Sequence, residues 1–401
     1  MRVGRRDIEW MVPLLTALLV GFGALVVYSA AQSTDPSLFT RQIVYIIAGT
    51  VLFIGAAMIP DRLTFAFAHI FYMFVLLLLL LVLFVGSGPT GRWLVLGPYH
   101  MQPSELAKLA TILAVARFMA DRRNDIHELK HLLTLAFLAG LPFVLIAIEP
   151  DLGTSVVIPF AAGMVAFWGG LPLIAMVLVI SPLAVMIASI NPYSLVAMIG
   201  LLILFAYFSG IKLTLGLIWG TSVGVIGALT PKLVSYLKPY QRQRLTAFLN
   251  PEADPLGAGY QLIQSKVAIG SGHFWGKGFL QGSQTQGGFL PEQHTDFIFS
   301  VIGEEFGFFG AMVLLFIFWL LIIRLIWLAR KVSNPFSSLV IVGVVSILSF
   351  QLVVNVGMTT GIMPVTGLPL PLISFGGSSM VTMMMMLGFA TGMGSRYRQH
   401  G

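Results

Sequence analysis

The chain is organised around Tyr240–Gly307, which ends in LPEQHTDFIFSVIGEEFG at positions 290–307. Most of this stretch is polar and glycine-rich, yet its end passes directly into an apolar run. Apolar runs of about 20 residues, the length at which a helix crosses a bilayer, recur on both sides of it. The sequence therefore predicts an all-α polytopic membrane protein that carries one long polar loop.

The composition agrees with this prediction. The chain has 401 residues, of which 57% are hydrophobic and 10% charged, and its mean hydropathy is +0.92. A soluble domain carries roughly 25% charged residues. The formal net charge of +7 does not indicate a nucleic-acid partner, because basic residues near the helix ends of a membrane protein mostly set its topology. The absence of cysteine excludes disulfides, thiolate metal sites and cysteine nucleophiles.

Twelve apolar segments are candidate membrane spans, and we treat 1–401 as one integral membrane domain. They are 10–31, 41–59, 64–85, 104–120, 132–148, 154–169, 171–190, 194–210, 213–230, 297–323, 337–357 and 372–394. The run after the basic MRVGRRDIE is too long for a cleaved signal peptide, so it is interpreted as a retained first span. The Lys and Arg distribution then places both termini in the cytoplasm and the loop at about 231–296 outside.

Six basic residues do not follow this topology rule, because they lie in the outside loop. They are Lys232, Lys238, Arg242, Arg244, Lys266 and Lys277. The last four are our candidates for binding an anion, either a pyrophosphate or a lipid headgroup phosphate. The alternative is a helix that simply lies on phospholipid headgroups. Both interpretations keep the loop at the membrane surface.

Two motifs place ionisable residues at the ends of apolar segments, which makes them functional candidates. In QPSELAKLA (102–110), Glu105 and Lys108 are three residues apart on one helix face, and form either a structural pair or the wall of a polar cavity. In EPDLGTS (149–155), Asp151 is either a helix cap or, together with Glu149, an oxygen ligand of a divalent cation.

Asp296 stands where the polar loop meets the next span, just after His294. An Asp at this place can cap the helix. The glycine-rich segment before it, the external basic residues and the nearby His294 favour a second role, in which a partly desolvated carboxylate acts as a general base. Glu304 and Glu305 follow about two helical turns later. One of them is expected to face the interior, and Glu305 is taken as the candidate.

The segment GIMPVTGLPLPLISFGGSSM (361–380) contains three prolines and four glycines between two spans. Irregular backbone at membrane depth is tolerated only where it is buried in protein or lines a water-filled cavity. Ser374 and Ser378 would present their hydroxyls there. These features together predict an outward-facing polar cavity in a helical bundle, and alone they do not separate a transporter from an enzyme.

Taken in order from about residue 90 to the C-terminus, these motifs resemble those of the SEDS family (shape, elongation, division and sporulation), and its elongation-type members most closely. The segments that carry the resemblance are QPSELAKLA, EPDLGTS, YQRQR, NPEADPLGAGYQLIQSKVAIGSG, GKG, LPEQHTDFIFSVIGEEFG and GIMPVTGLPLPLISFGGSS. The resemblance implies a bundle of ten core transmembrane helices. The chain departs from this at about 171–230, where an additional pair of apolar segments raises the count to twelve.

The resemblance also implies a peptidoglycan glycosyltransferase that polymerises lipid II into glycan strands at the outer face of the bacterial cytoplasmic membrane during cell elongation, releasing undecaprenyl diphosphate. Asp296 matches the family's essential Asp, which would deprotonate the acceptor GlcNAc 4-hydroxyl or help to bind a divalent cation, Mg or Mn, that does so. The implied partners are a class B penicillin-binding protein, the elongation machinery and membrane lipids. Residues expected in the substrate cavity are Glu105, Lys108, Glu149, Asp151, His294, Glu305, Ser374 and Ser378.

Three rival functions remain open from the sequence. A lipid II flippase would use the same cavity without a general base. An ion-coupled transporter would use Glu105, Lys108 and Glu305 as a relay, but the matched broken helices of such transporters are not seen in the sequence. A scaffold that only recruits the transpeptidase would need no reactive residue.

Overall fold

The chain is helical almost throughout the residues that the computed structural model describes. These are 9–87, 91–96, 99–121, 129–149, 151–172 and 259–396, with scattered positions between 173 and 257, of which 192–209 are the longest run. Before the polar stretch the helices are α1 (Met11–Gln32), α2 (Ser37–Met58), α3 (Asp61–Val85), α4 (Pro103–Asp121), α5 (Leu129–Ile148), α6 (Leu152–Trp168) and α7 (Pro192–Phe208). After it come α8 (Tyr260–Ser271), α9 (Ser283–Gln286), α10 (Ile298–Lys331), α11 (Pro335–Thr360) and α12 (Gly377–Ser395). Strands β1 (Leu94–Leu96) and β2 (Tyr99–Met101) form an antiparallel hairpin before α4.

Six of the described helices are long and apolar enough to cross a bilayer, namely α1, α2, α3, most of α5, α10 and α11. On α10, exposed apolar side chains recur every three or four residues, as expected on a helix side that faces lipid. They are Phe308, Met312, Phe316, Trp319 and Ile323. The chain is therefore an all-α, multi-pass membrane protein, as predicted. The choice between ten and twelve spans stays a prediction.

Helices α4 and α11 form the centre of the packing. Helix α4 contacts α3, α5, α6 and α11, and α11 also contacts α6, α10 and α12. Close approach is possible because Gly343 of α11 faces Ile112 of α4, where an added Cβ would lie 2.4 Å from an Ile112 methyl. Helix α4 is buried along almost its whole length. It can therefore carry the polar residues Glu105 and Lys108 without exposing them to lipid.

The chain divides into two compact units, Met1–Gly169 with Ala247–Gly401, and Gly170–Thr246. The second unit contains the three apolar segments that were predicted at 171–230. Its described positions are mostly helical, and Val185, Leu202 and Val223 form its buried core. The first unit contains the candidate site. The single domain predicted over 1–401 stays a prediction.

The polar loop predicted at about 231–296 is partly helical, since α8 begins at Tyr260. Leu262, Ser265 and Ala268 of α8 are buried and three residues apart, so that one face of α8 packs on α10 and α11. The Ser265 hydroxyl lies 2.6 Å from that of Ser300 on α10. This packing gives the second half of the loop a fixed position beside the start of α10.

A kink at Gly307 interrupts α10, where φ is 67° and ψ is −167°. The helical hydrogen bonds from the Phe308 and Phe309 amides to the Glu304 and Glu305 carbonyls are lost there. The loop before the helix replaces them. Lys277 N and Gly278 N donate to the Glu304 and Glu305 carbonyls at 3.0 Å, and the two freed amides donate to His273 O and Phe274 O at 2.9 and 3.0 Å. The backbone groups freed by the kink are thus satisfied, as burial requires.

Gly276→Ala should destabilise the protein strongly, because Gly276 has a φ of 82° and an added Cβ would lie 2.1 Å from Glu305 O. Left-handed strain costs roughly 1–2 kcal/mol, and overpacking adds about 1–3 kcal/mol. The thermal unfolding midpoint of the purified protein would measure the loss. Gly270→Ala is the matched control, since nothing lies within 4 Å of its added Cβ. Equal midpoints for the two variants would contradict this packing.

Candidate active site

The backbone just before α10 is held by three hydrogen bonds to consecutive carbonyls, those of His294, Thr295 and Asp296. Phe375 N donates to the first at 2.8 Å, Ser374 Oγ to the second at 2.7 Å and Asn355 Nδ2 to the third at 2.9 Å. We call these three bonds the carbonyl clamp. Because the clamp engages only main-chain atoms of 294–296, it fixes the segment without consuming the side chains of His294 and Asp296.

The clamp residues are themselves held in place. The Asn355 amide also donates to Leu368 O at 2.8 Å, and Ser374 Oγ accepts from Leu370 N at 2.8 Å. Asn355 is fully buried and Ser374 nearly so. Ser374, which was predicted to line the cavity, therefore uses its hydroxyl to connect two backbone segments. The last helix begins at Gly377, later than the predicted 372, because residues 371–374 form a turn in which Leu372 has a positive φ of 65°.

Asp296 and His294 lie at this end of the bundle with half-buried side chains. The His294 ring packs against that of Phe375, with 5.7 Å between ring centroids. Burial lowers the pKa of His294, although Glu292 and Asp35 oppose the shift. His294 is therefore a neutral imidazole at pH 7. A neutral imidazole can donate one hydrogen bond and accept another, which suits it to bind a substrate hydroxyl.

The Glu105–Lys108 pair forms as its spacing predicts, with 2.7 Å between Lys108 Nζ and Glu105 Oε2. The two residues are 4% and 1% exposed, so the pair is enclosed by neighbouring helices. Their place on the wall of a substrate cavity stays a prediction. The two charges neutralise each other, which is what makes their burial in the bundle possible.

Asp151 caps α6, since its Oδ1 accepts from Thr154 N at 3.1 Å. Its Oδ2 accepts from Gln102 Nε2 at 2.8 Å and lies 3.8 Å from Arg92 Nη1. Ser378 belongs to the same region, because its hydroxyl accepts from Gln102 N at 3.0 Å. The segment 374–378 thus connects the clamp around Asp296 with the start of α4. The cap predicted for Asp151 is observed.

Glu149 is the unusual group of this region. It is 3% exposed, and in the described part of the chain neither carboxyl oxygen has a hydrogen-bond partner. Burial, reinforced by Asp151, raises the pKa of the Glu149 carboxyl to about 8, and Arg92 opposes this only in part. At pH 7 Glu149 is therefore mostly protonated, and a neutral acid is a poor ligand for a cation.

Stability should fall as pH rises between about 4.5 and about 8, because the folded protein keeps a proton on Glu149 that the unfolded chain has released. Below this window both states hold the proton, so that no penalty arises. Glu149→Gln should remove this part of the pH dependence. Thermal unfolding midpoints at about pH 6 and about pH 9 would show it. An unchanged difference between the two midpoints in Glu149→Gln would contradict the assignment.

Lys277, which was predicted to bind a diphosphate, is partly buried and takes part in a hydrogen-bond network around Glu304. Its Nζ donates at 2.7 Å to each of Ser271 Oγ, Ser283 Oγ and Glu304 Oε1. These bonds use all three of its hydrogens. The Glu304 carboxylate, fully buried, also accepts from Gln284 N at 2.9 Å and from Thr285 N and Oγ1 at 2.9 and 2.8 Å.

Both glutamates of the GEEFG motif face the interior, whereas only one was expected to do so. Glu305 is 1% exposed, and its Oε1 accepts from Ser29 Oγ at 2.5 Å and from Gln286 Nε2 at 3.4 Å. Glu305 thus ties α10 to α1, and Glu304 ties it to the loop. Both glutamates can be buried because the loop that bonds to α10 around the Gly307 kink covers the side of the helix that would otherwise face outward.

Lys266 is the predicted anion-binding residue that the structure leaves accessible. It is exposed on α8, beside the C-terminal end of α11 at Gly361, where an added Cβ would lie 2.7 Å from Lys266 Nζ. No ion pair engages it within the described ranges. Arg242 and Arg244 lie outside the described residues. Of the four residues predicted to bind an anion, Lys266 is therefore the one that is described, exposed and outside any ion pair in the described ranges.

A divalent cation would need several oxygen or nitrogen ligands close together. Among the described residues no group of three or more His, Cys, Asp or Glu side chains is arranged to hold a metal ion. The described residues thus do not form a metal site by themselves. The role of Mg or Mn stays a prediction.

Comparisons with known proteins agree with the geometry. The family described as "Cell cycle protein" (FtsW, RodA, SpoVE) matches residues 9–197 and 172–396. The chain belongs to this family. It is 39% identical to the peptidoglycan glycosyltransferase MrdB of Escherichia coli K12, over 93% of this chain and 90% of that protein. It is 35% identical to the peptidoglycan glycosyltransferase RodA of Treponema pallidum, over 98% and 99%.

Solved structures of similar proteins have the same fold. One shows the structural coordination of polymerization and crosslinking by a peptidoglycan synthase complex, and matches with a TM-score of 0.75 and 33% identity over 98% of both chains. Another is the rod shape determining protein RodA of Thermus thermophilus, with a TM-score of 0.64 and 29% identity over 98% of this chain and 97% of that one. The SEDS resemblance and the all-α polytopic fold inferred from the sequence are confirmed.

Proposed function

We propose that the protein is a peptidoglycan glycosyltransferase that polymerises lipid II at the outer face of the bacterial cytoplasmic membrane. The carrying observation is the carbonyl clamp, which holds the Asp296 backbone at one end of the bundle while its side chain stays half-buried. The glycosyltransferase names of the relatives support the reaction class. The basic residues of the sequence support the orientation, with both termini cytoplasmic and this end of the bundle outside.

In the proposed reaction Asp296 acts as general base. Its carboxylate takes the proton of the acceptor GlcNAc 4-hydroxyl as the oxygen attacks the anomeric carbon of the donor glycan. The bond from that carbon to the diphosphate breaks, and undecaprenyl diphosphate leaves with the electron pair. A positioned base contributes typically about 10²–10⁴-fold to such a step. Preorganisation by the clamp keeps the base in place before the substrate arrives.

The diphosphate that leaves carries negative charge, which an exposed cation can stabilise. Lys266 on α8 serves this role in the proposal, and Arg242 and Arg244 stay candidates on sequence grounds. His294, neutral at pH 7, orients the acceptor hydroxyl. The lipid tails of both substrates explain why the site sits at the end of a membrane-spanning bundle.

The proposed partner is a class B penicillin-binding protein that crosslinks the new strands as part of the elongation machinery. A similar protein has been solved in a peptidoglycan synthase complex that couples polymerization and crosslinking, which supports this pairing. Lipid II and the growing undecaprenyl-linked glycan are the proposed substrates.

The decisive experiment uses the purified protein with lipid II in detergent micelles, where no bilayer separates two compartments. Glycan strands of increasing length, resolved by gel electrophoresis, are expected with the partner present. A lipid II flippase has no polymerising activity, so binding of lipid II without strand formation would favour the flippase and contradict the proposal. Repeating the assay with a chelator tests the predicted cation separately.

A further inference from the structure

A second candidate site lies at the opposite end of the bundle from Asp296. A cavity of about 430 Å³ opens there, in the size range of small-ligand sites. Asp296 precedes the first residue of α10, whereas the cavity is lined by the last turn of the same helix. Its lining residues are Met119, Trp168, Ala329, Arg330, Ser338 and Leu339, among others. They come from the ends of α4, α6, α10 and α11, all within one compact unit.

Hydrogen bonds between these helices form the cavity wall. Trp168 Nε1 of α6 donates to Ser338 Oγ of α11 at 2.9 Å, and Ser338 Oγ donates to Ala329 O of α10 at 2.6 Å. Met119 packs at the base, where an added Cβ on Gly169 would lie 2.4 Å from its methyl. Because three helices are connected in this way, the cavity is a built feature and does not depend on a mobile segment.

The cavity combines an apolar base with one uncompensated cation. Met119, Ala329 and Leu339 are buried and line the base. Arg330 is exposed at the rim, and no ion pair or hydrogen bond engages it within the described residues. The negative end of the α10 helix dipole favours a basic residue at this position. The dipole accounts for the charge of Arg330 but does not account for the cavity beside it.

The neighbouring basic residues are engaged differently. Arg324 pairs with Glu9 through two nitrogens, and its guanidinium lies 4.2 Å from the Trp327 ring centroid. Lys331 Nζ lies 5.7 Å from the same ring. Of the three basic residues in the last turns of α10, Arg330 is therefore the one that lines the cavity and can contact a ligand there.

We propose that this cavity binds the phosphate group of an anionic amphiphile, with Arg330 contacting the phosphate and the apolar base receiving the first part of an acyl chain. A guanidinium matches phosphate oxygens with two parallel hydrogen bonds. In the proposed orientation the cavity opens to the inner leaflet, where anionic phospholipids supply such a group. The proposal does not depend on the catalytic role of Asp296.

The test compares Arg330→Gln with Lys331→Gln, which removes the same charge from the adjacent exposed residue. The full-length protein in detergent is titrated with phosphatidylglycerol or phosphatidylcholine, and native mass spectrometry counts the lipids that it retains. We expect preferential retention of phosphatidylglycerol, weakened about tenfold in Arg330→Gln and little changed in Lys331→Gln. Thermal unfolding midpoints confirm that both variants are folded.

Equal weakening in the two variants, or no preference for phosphatidylglycerol in the wild type, would overturn the proposal. A third arm adds inorganic phosphate at the same concentration. If phosphate alone displaced the bound lipid with equal efficiency, the cavity would be a soluble-anion site and the amphiphile would be excluded. A negative result here would not change the outcome of the polymerisation assay, so the lipid-binding proposal and the proposed glycosyltransferase activity are tested independently.

Discussion

Asp296→Asn should reduce glycan polymerisation by roughly 10²–10⁴-fold while lipid II binding is retained. The amide has nearly the same shape as the carboxylate but cannot take a proton. The carbonyl of residue 296 still accepts from Asn355, so the clamp survives the substitution. The loss should therefore appear in kcat and not in the binding constant for lipid II.

The control for this variant is Glu292→Gln, which removes a carboxylate from the same loop. Glu292 is exposed, and its side chain accepts from Thr295 Oγ1 at 3.1 Å, a bond that an amide oxygen can still accept. Glu292→Gln should keep most of the activity. If Asp296→Asn polymerised as fast as Glu292→Gln, Asp296 would not be the base.

Glu304→Gln should cause the largest loss of stability among isosteric changes at this end of the bundle. The carboxylate is fully buried and accepts from Lys277, from two backbone amides and from the Thr285 hydroxyl. An amide at this place loses the ion pair and turns one NH₂ group toward donors. Breaking a buried pair costs roughly 3–5 kcal/mol, and the partial exposure of Lys277 favours the lower end.

Glu305→Gln is the matched control, because Glu305 has no cationic partner in the described part of the chain. An amide oxygen can still accept from Ser29. Its unfolding midpoint should change much less than that of Glu304→Gln. A double-mutant cycle with Lys277→Met would isolate the pair, and a coupling energy near zero would show that the ion pair does not hold the loop.

The sequence predicts the helices well because their signal is local. Runs of apolar residues, the Glu105–Lys108 spacing and the Asp151 cap each depend on a few neighbouring residues, and each has its counterpart in the structure. The irregular backbone expected near 361–380 is also present, since its prolines and glycines prevent a regular helix. These parts of the fold follow from local chemistry.

The carbonyl clamp could not be predicted in the same way. Asn355 and Asp296 are 59 residues apart, and Ser374 and Thr295 are 79 apart. Asn355 lies within an apolar helix, where its buried amide is the one signal that a polar partner must exist. The pairing of Lys277 with Glu304 was missed for a related reason. A loop lysine gives no local sign of which distant carboxylate it will reach.

Asn355→Leu removes the clamp bond to the Asp296 carbonyl, and with it the support that is expected to hold Asp296 in position for catalysis. The matched control is Gln351→Leu, which removes another fully buried amide one turn away on α11, whose nitrogen and oxygen have no partner in the described part of the chain. Polymerisation of lipid II is measured for both variants below their unfolding midpoints. We expect Asn355→Leu to lower kcat about 10- to 100-fold with KM nearly unchanged, since small misplacements of a catalytic group cost this much. Gln351→Leu should keep normal rates. Wild-type kcat in folded Asn355→Leu, or an equal loss in Gln351→Leu, would contradict this expectation.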